Sequence, residues 1–332
     1  MEHAGAQYRV DPETGQWRIV APERAARPSD MTFAGPCPFD PGQEHQTLPE
    51  VLRVPADPAV PWRVRIVPNK FPVVAGSGTW PAATGAHEVV VESPRHDGDL
   101  RFASFGDTLE VLRAMRARSR QLIAERRPAA VVVFRNHGVA AGTSLRHPHS
   151  QIVALDQAPP GLAGRWERAR EFFDQHGFRR QDDEAARERA DGVRVVHDEG
   201  GLLVYQPRAG GVSNETVLLP EDDAAGLHEA SDEALAAVAG LLPAVAAALA
   251  EVRDDPAYNL VVHAGPAGDP QARRWFRWHV GLYPRVSRRA GLEIATGLGV
   301  NPSVPEQTAP LLRTALRSGM RAPSSPVPPA HR

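Results

Sequence analysis

Between Phe134 and Gln151 the chain reads FRNHGVAAGTSLRHPHSQ, a stretch that gathers groups able to handle a phosphate. In an extended strand alternate side chains share a face, so His147, His149 and Gln151 are expected on one side, with Pro148 and Ser150 on the other. The preceding loop, with Gly138, Gly142 and Ser144, offers backbone N–H groups at close approach and one hydroxyl, both suited to phosphate oxygens. A neutral imidazole is a competent nucleophile near neutral pH because its unperturbed pKa is about 6.5. An isolated H-x-H is most simply a pair of exposed loop histidines. Asn136, two glycines and Ser144 upstream, with Gln151 downstream, favour a phosphate-handling site instead.

The elements that must hold this stretch can be read on either side of it. Short β-rich runs broken by Pro and Gly fall at 16–21, 62–67 and 87–92. Asp107 with Glu110 three residues on gives a capping-box signal, and Leu109, Leu112, Met115, Leu122 and Ile123 follow at helical spacing. Strands at 129–134 and 151–155 then flank the Gly/Ser/His loop. The charged stretch 159–191, helical near 166–173, reads as a connection. Beyond it come strands at 202–206 and 216–219, an Ala/Leu-rich helix over about 232–252 kinked or divided at Pro243, and strands at 259–263 and 278–283.

Placing VVVFRNHGVAAGTSLRHPHSQIVAL beside YNLVVHAGPAGDPQARRWFRWHVGLYP exposes an internal duplication of strand, glycine loop and returning strand with a histidine. In that pairing Gly281 stands where the first copy has His149. The expected fold class is α+β: a duplicated unit with two antiparallel half-sheets packed with helices. Residues 1–175 form the catalytic half, 176–320 the second half, and 321–332, rich in Pro and Ser, a disordered tail.

With 38 Lys+Arg against 40 Asp+Glu, the formal charge of −2 gives no global field for nucleic acid or an anionic membrane, so phosphate must be met by local groups. A single cysteine, Cys37, excludes an intramolecular disulfide and suits a cytoplasmic location. The N-terminal residues show no leader pattern and no run reaches the roughly 20 apolar residues of a membrane span. The expectation is a soluble, unprocessed protein.

Phe134, Asn136, Gly138, Gly142, Ser144, His147, Pro148, His149 and Gln151 together match an F-x-N-x-G segment followed by G-x-S-x-x-H-P-H-x-Q. Further matching segments are DPETGQWRIVAPERAARP, CPFDPGQE, VPNKFP, HEVVVESPRH and PRVSRRAGLEIATGLGVNP, in this order along nearly the whole chain. On these motifs the chain resembles the galactose-1-phosphate uridylyltransferase family, the transferase branch of the histidine-triad superfamily, and its two halves resemble histidine-triad units.

The resemblance implies that His149 attacks the α-phosphorus of a nucleoside diphosphate sugar and forms a nucleotidyl-histidine. Gln151 would hydrogen-bond the phosphoryl oxygens; unlike a histidine there, glutamine cannot relay a proton to or from water, which favours transfer over hydrolysis. Ser144 and the loop amides around Gly142 would hold the departing phosphate. Asn136 would fix the phosphate or ribose, and Phe134 would border the base. Arg24 and Arg27 would bind the diphosphate, often from the neighbouring subunit of a homodimer, and Asn69 would contact the nucleotide. The implied reaction carries UMP between UDP-glucose and a hexose 1-phosphate such as galactose 1-phosphate. A phosphorylase of the ADP-glucose type and a non-catalytic nucleotide-binding protein are the alternatives.

The family's zinc site uses C-x-x-C and two histidines. Here Cys37, Asp40 in place of the second cysteine, His96 and His147 remain an acceptable tetrahedral set, implying one structural zinc per chain. A second metal, held elsewhere in the family by a glutamate and three histidines, finds only His263 and His279, with Gly281 replacing the third and Glu167 as a candidate carboxylate. That site is expected to be empty. Arg135, His137 and Arg146 depart from the family pattern beside the catalytic motif and leave the acceptor open.

Overall fold

The protein, seen as a computed structural model, is described over residues 5–26, 35–287 and 290–321. Arg27 and tail residues 322–332 lie outside the described residues. Strands β1 (Gln7–Val10) and β2 (Trp17–Val20) form a separate antiparallel ribbon. The main sheet begins with β3 (Leu52–Val54), β4 (Val64–Pro68) and β5 (Gly85–Val91). Helix α1 (Phe105–Arg126) crosses to β6 (Ala130–His137) and β7 (His149–Leu155). Helices α2 (Pro160–His176) and α3 (Arg180–Asp191) lead into β8 (Val195–Glu199), β9 (Leu202–Tyr205) and β10 (Thr216–Pro220). Then come α4 (Asp232–Arg253), β11 (Tyr258–His263), α5 (Ala272–Trp275) and β12 (His279–Pro284), followed by α6 (Gly291–Thr296) and α7 (Pro305–Arg321).

The strand order β3-β4-β5-β7-β6-β11-β12-β10-β9-β8 reads the same from both edges once the halves are equated. All pairings are antiparallel, and β6 joins β11 with Asn136 opposite Asn259. The two half-sheets are therefore fused into one sheet of ten strands. The duplication extends to the long helices. Each has 22 residues, a serine cap (Ser104 accepting from Asp107 N–H, Ser231 from Ala234 N–H) and a left-handed residue after its last turn (Arg127 at φ 51°, Asp254 at φ 54°). Asp107 is thus the acidic partner of the Ser104 cap rather than the cap itself.

The stretch 159–191 is more regular than its charge suggests, because α3 buries only Ala185 and Glu188 and lacks the apolar stripe that marks a helix in sequence. Helix α4 runs unbroken through the buried Pro243; packing against α1 and α7 holds it where a proline would otherwise interrupt the hydrogen-bond ladder. It is also long and apolar enough to cross a bilayer, which the composition survey did not anticipate, and is the one such helix among the described residues. Here Leu235, Val238, Leu242, Val245 and Leu249 of α4 lie in the protein core.

Alternation along β7 decides what each side chain meets. Ile152 and Ala154 face α1 and α4 in the main core with Ile66, Val90 and Leu122. Val153 and Leu155 face the opposite side with Trp166 and Phe276. Val89 and Val91 of β5 share that side with Cys37, Phe39, Trp62 and Leu145. The odd-numbered residues of β7, His149 and Gln151 included, therefore point away from α1 and α4. Truncating Ile152 to alanine would cost roughly 2–5 kcal/mol and loosen the strand beneath them.

Candidate active site

His149 stands opposite Val91 on β5, and Gln151 lies between Val89 on β5 and Phe134 on β6. His149 is 6 % and Gln151 5 % exposed, so the two are not loop ornaments in solvent. The His149 Nδ1 lies 2.8 Å from the carbonyl oxygen of His147. A carbonyl only accepts, so Nδ1 of the neutral ring carries the proton and Nε2 keeps the lone pair. The neutral ring therefore presents its basic nitrogen at Nε2. Phe39 braces the ring at a centroid distance of 5.7 Å.

His149 opens on a cavity of about 160 Å³ that it lines with Phe39, Asn69, Ser144 and Gln151. Gln151 also lines an adjoining recess of about 250 Å³ with Arg24, His87, Phe134 and Asn136. The loop between β6 and β7 needs its glycines: Gly138 has φ 81°, and a Cβ there would come within 2.7 Å of the Ala257 Cβ. Gly142 ends the loop's 3-10 turn at φ 89°, beside Asn136. Asn136 Oδ1 accepts from Asn259 Nδ2 at 2.8 Å, and the same amide donates to the Ala141 carbonyl at 2.9 Å. The second half thus holds the first half's glycine loop in place. Arg24 donates to the Phe71 carbonyl at 2.7 Å, and burial pulls its guanidinium below its ordinary pKa. It lines the recess formed by its own chain.

Cys37, Asp40, His96 and His147 offer ligand atoms that all lie within 4.8 Å of one another. That is close to the span one ion can bridge with bonds of about 2.0–2.3 Å. His147 is fully buried, and its Nε2 donates to the Ser93 carbonyl at 2.8 Å, leaving a lone pair on Nδ1. This Nδ1 faces Asp40 Oδ1 at 3.1 Å, and His96 Nδ1 faces the same oxygen at 2.8 Å. Burial lowers the His147 pKa, against the raising effects of the Ser93 carbonyl and Asp40. A neutral imidazole lone pair against a carboxylate oxygen calls for a cation between them. The backbone carbonyl on the far nitrogen is the support that metal-bound histidines have. The four residues fit a zinc ion.

The equivalent region of the second half is built differently. Phe134 pairs with Gln151 four residues before Gly138, and Val261 pairs with Gly281 four residues before Gly265. Register therefore sets Gly281 against Gln151 and His279 against His149, correcting the sequence alignment by one strand period. His279 repeats the bond of His149, its Nδ1 donating to the carbonyl two residues back, at 3.1 Å. Its ring stacks on His263 at 4.8 Å. Both nitrogens of His263 are engaged, Nε2 with the Tyr283 hydroxyl at 2.6 Å and Nδ1 with the Arg165 guanidinium. Tyr283 leans over Gly281, where a Cβ would meet its hydroxyl oxygen at 2.5 Å. With a guanidinium against His263 and Glu167 exposed, these groups do not fit a second metal. Burial, then His279 and Arg165, push the His263 pKa well down; burial above all pushes His279 to about 4.

The structure brings His149, Gln151, Ser144, Asn69, Asn136, Phe134 and Arg24 around two cavities that share Gln151, and Cys37, Asp40, His96 and His147 into one cluster. Phe39, His87, Asn259 and Arg165 were not singled out from sequence. Each acts on residues distant in the chain, and only the start of the matching HEVVVESPRH segment pointed to His87.

A buried histidine, a glycine loop and a glutamine lie together on the fused double sheet, the arrangement that the resemblance to the transferase branch of the histidine-triad superfamily implies. The chain is similar to the galactose-1-phosphate uridylyltransferase family. The family described as galactose-1-phosphate uridyl transferase, N-terminal domain, matches residues 77–159. ADP-glucose phosphorylase from Arabidopsis thaliana is 29% identical over 94% of each chain. Galactose-1-phosphate uridylyltransferase from Haemophilus influenzae is 26% identical over 87% of this chain and 86% of its own. The solved structure of an Arabidopsis thaliana ADP-glucose phosphorylase with bound ADP-glucose superposes with a TM-score of 0.76 at 29% identity, covering 93% of this chain and 98% of the other.

Proposed function

We propose that the protein moves a nucleoside monophosphate from a nucleoside diphosphate hexose to a phosphate-bearing acceptor through a covalent adduct on His149. The observation that carries this reading is the Nδ1–H bond to the His147 carbonyl, which leaves Nε2 as the lone-pair atom beside Gln151 and Ser144. The Nε2 lone pair attacks the α-phosphorus, and the bond to the bridging oxygen breaks. The hexose 1-phosphate departs with that oxygen as a stable anion and needs no strong general acid. An acceptor phosphate oxygen then attacks the same phosphorus, and the P–N bond breaks to return the lone pair to His149. Ser144 and the loop amides steady the departing phosphate, Gln151 donates to the phosphoryl oxygens, and Arg24 offsets charge from the recess. Asn69, Asn136, Phe134, Gly142 and, in the segment before it, Arg27 are proposed nucleotide contacts.

A single zinc on Cys37, Asp40, His96 and His147 would supply a rigid anchor for the start of β7 and take no part in the transfer. The proposed working unit is a homodimer, supported by the exposed Leu292, Ile294, Leu298 and Val300, which a partner would cover.

For the acceptor, the phosphorylase reading gains support from the higher identity and fuller coverage of the ADP-glucose phosphorylase relative. Inorganic phosphate with ADP-glucose is therefore the leading pair, and galactose 1-phosphate with UDP-glucose the second. Supplying each donor with labelled phosphate or labelled galactose 1-phosphate separates them. Label in ADP supports the first reading, label in UDP-galactose the second, and label in neither nucleotide product rejects both.

A further inference from the structure

We propose that His87 is a positioning residue that locks the Gln151 amide with only its N–H donors turned toward the reacting phosphoryl group. The inference rests on the transfer reading above and deepens it. His87 projects from β5, is buried, and has both ring nitrogens in contact with defined partners. The backbone nitrogen of Val73 lies 3.0 Å from His87 Nδ1. A peptide N–H can only donate, so Nδ1 must accept, and the neutral ring carries its proton on Nε2. That Nε2 lies 2.8 Å from Gln151 Oε1. The bond runs from His87 to Gln151, and it identifies which end of the glutamine is oxygen.

Asn69 also approaches His87 Nε2. Its Oδ1 accepts from the Phe71 N–H at 2.9 Å, so its amino group is the end that sits 3.1 Å from His87 Nε2. Two donors cannot bond, so the Asn69 hydrogens are left for a ligand in the cavity that Asn69 shares with His149. Two backbone N–H groups, Phe71 and Val73, thereby fix the polarity of three side chains. Without His87 the Gln151 amide could rotate and present its oxygen to a phosphoryl oxygen, which repels it. With His87 in place Gln151 is a donor-only group on that side, the polarity that stabilises the anionic phosphoryl of a nucleotidyl-histidine.

A double-mutant cycle in the full chain tests the coupling. His87→Ala should lower kcat by up to the roughly hundredfold that a lost transition-state donor costs, with KM for the nucleotide sugar changed far less. In a Gln151→Ala background the same substitution should cost little more, because its target is gone. Equal losses in both backgrounds would overturn the proposal, as would a loss carried by KM alone. The nitrogen chemical shifts of the His87 ring in the ligand-free protein give a reading that needs no turnover. Protonation at Nε2 is expected, and protonation at Nδ1 would overturn the proposal even if transfer through His149 holds. If no nucleotide sugar is turned over, the ring tautomer still decides the His87 assignment while the transfer reading fails separately.

Discussion

At the scale of single residues the site works by assigning one job to each nitrogen and oxygen. In the proposed transfer His149 gives Nδ1–H to a carbonyl and keeps Nε2 for phosphorus, while Gln151 gives its oxygen to His87 and keeps its amino group for the phosphoryl oxygens. Gln151→Glu should therefore be as damaging as Gln151→Ala, since a carboxylate can still accept from His87 but offers no donor to phosphate. Steady-state kinetics should show losses of roughly 10²–10³-fold in kcat for both, and a fully active glutamate variant would refute the donor role. His149→Gly should recover part of its activity with added imidazole, because the vacated space can admit the missing nucleophile; no recovery by Ser144→Ala under the same conditions is the control. The H-P-H-S-Q alternation was legible because a strand's period of two is a local rule. His87 was not, because its partners lie in two stretches distant from it in the chain, Asn69 and Val73 in one and Gln151 in the other.

At the scale of elements, the knuckle around Cys37 and the strand β7 are joined through His147. Metal analysis of protein purified without chelator should give about one zinc per chain. Cys37→Ser should lower the melting temperature more than it alters nucleotide affinity, and metal-free protein with full stability would contradict the site. The second half makes its own testable demand. His279 has a folded pKa of about 4, below its unfolded value of 6.5, so its contribution to stability is full above about pH 6.5. It is lost as pH falls toward 4, with His263 acting in the same direction. Part of the His279 surface remains accessible, so the change is at most about 3 kcal/mol. Urea unfolding at pH 7.5 and pH 5 should show the drop, and His279→Gln should flatten it; an unchanged slope would exclude this cause. Elements with an apolar stripe or a serine cap could be read in the sequence. The charged α3 could not, nor could the unbroken course of α4 through Pro243, because tertiary packing decides both.

At the scale of the whole molecule, the duplication was visible in sequence but the fusion of the half-sheets was not, since the β6–β11 pairing is a contact between distant residues with no local signature. That seam matters, because Asn259 in the second half holds Asn136 and the loop before Ser144. The exposed apolar residues of 292–300 lead to a further expectation: Ile294→Asp with Leu298→Asp should shift the proposed homodimer toward monomer in sedimentation. A dimer of unchanged stability would place the interface elsewhere. The central claim, a nucleotide carried on His149, is tested most directly by the mass of the intact chain after incubation with ADP-glucose or UDP-glucose without acceptor. The expected result is a nucleoside monophosphate added once per chain, mapped to His149 and absent from His149→Ala. No adduct with either donor, or an adduct on another residue, would contradict the account.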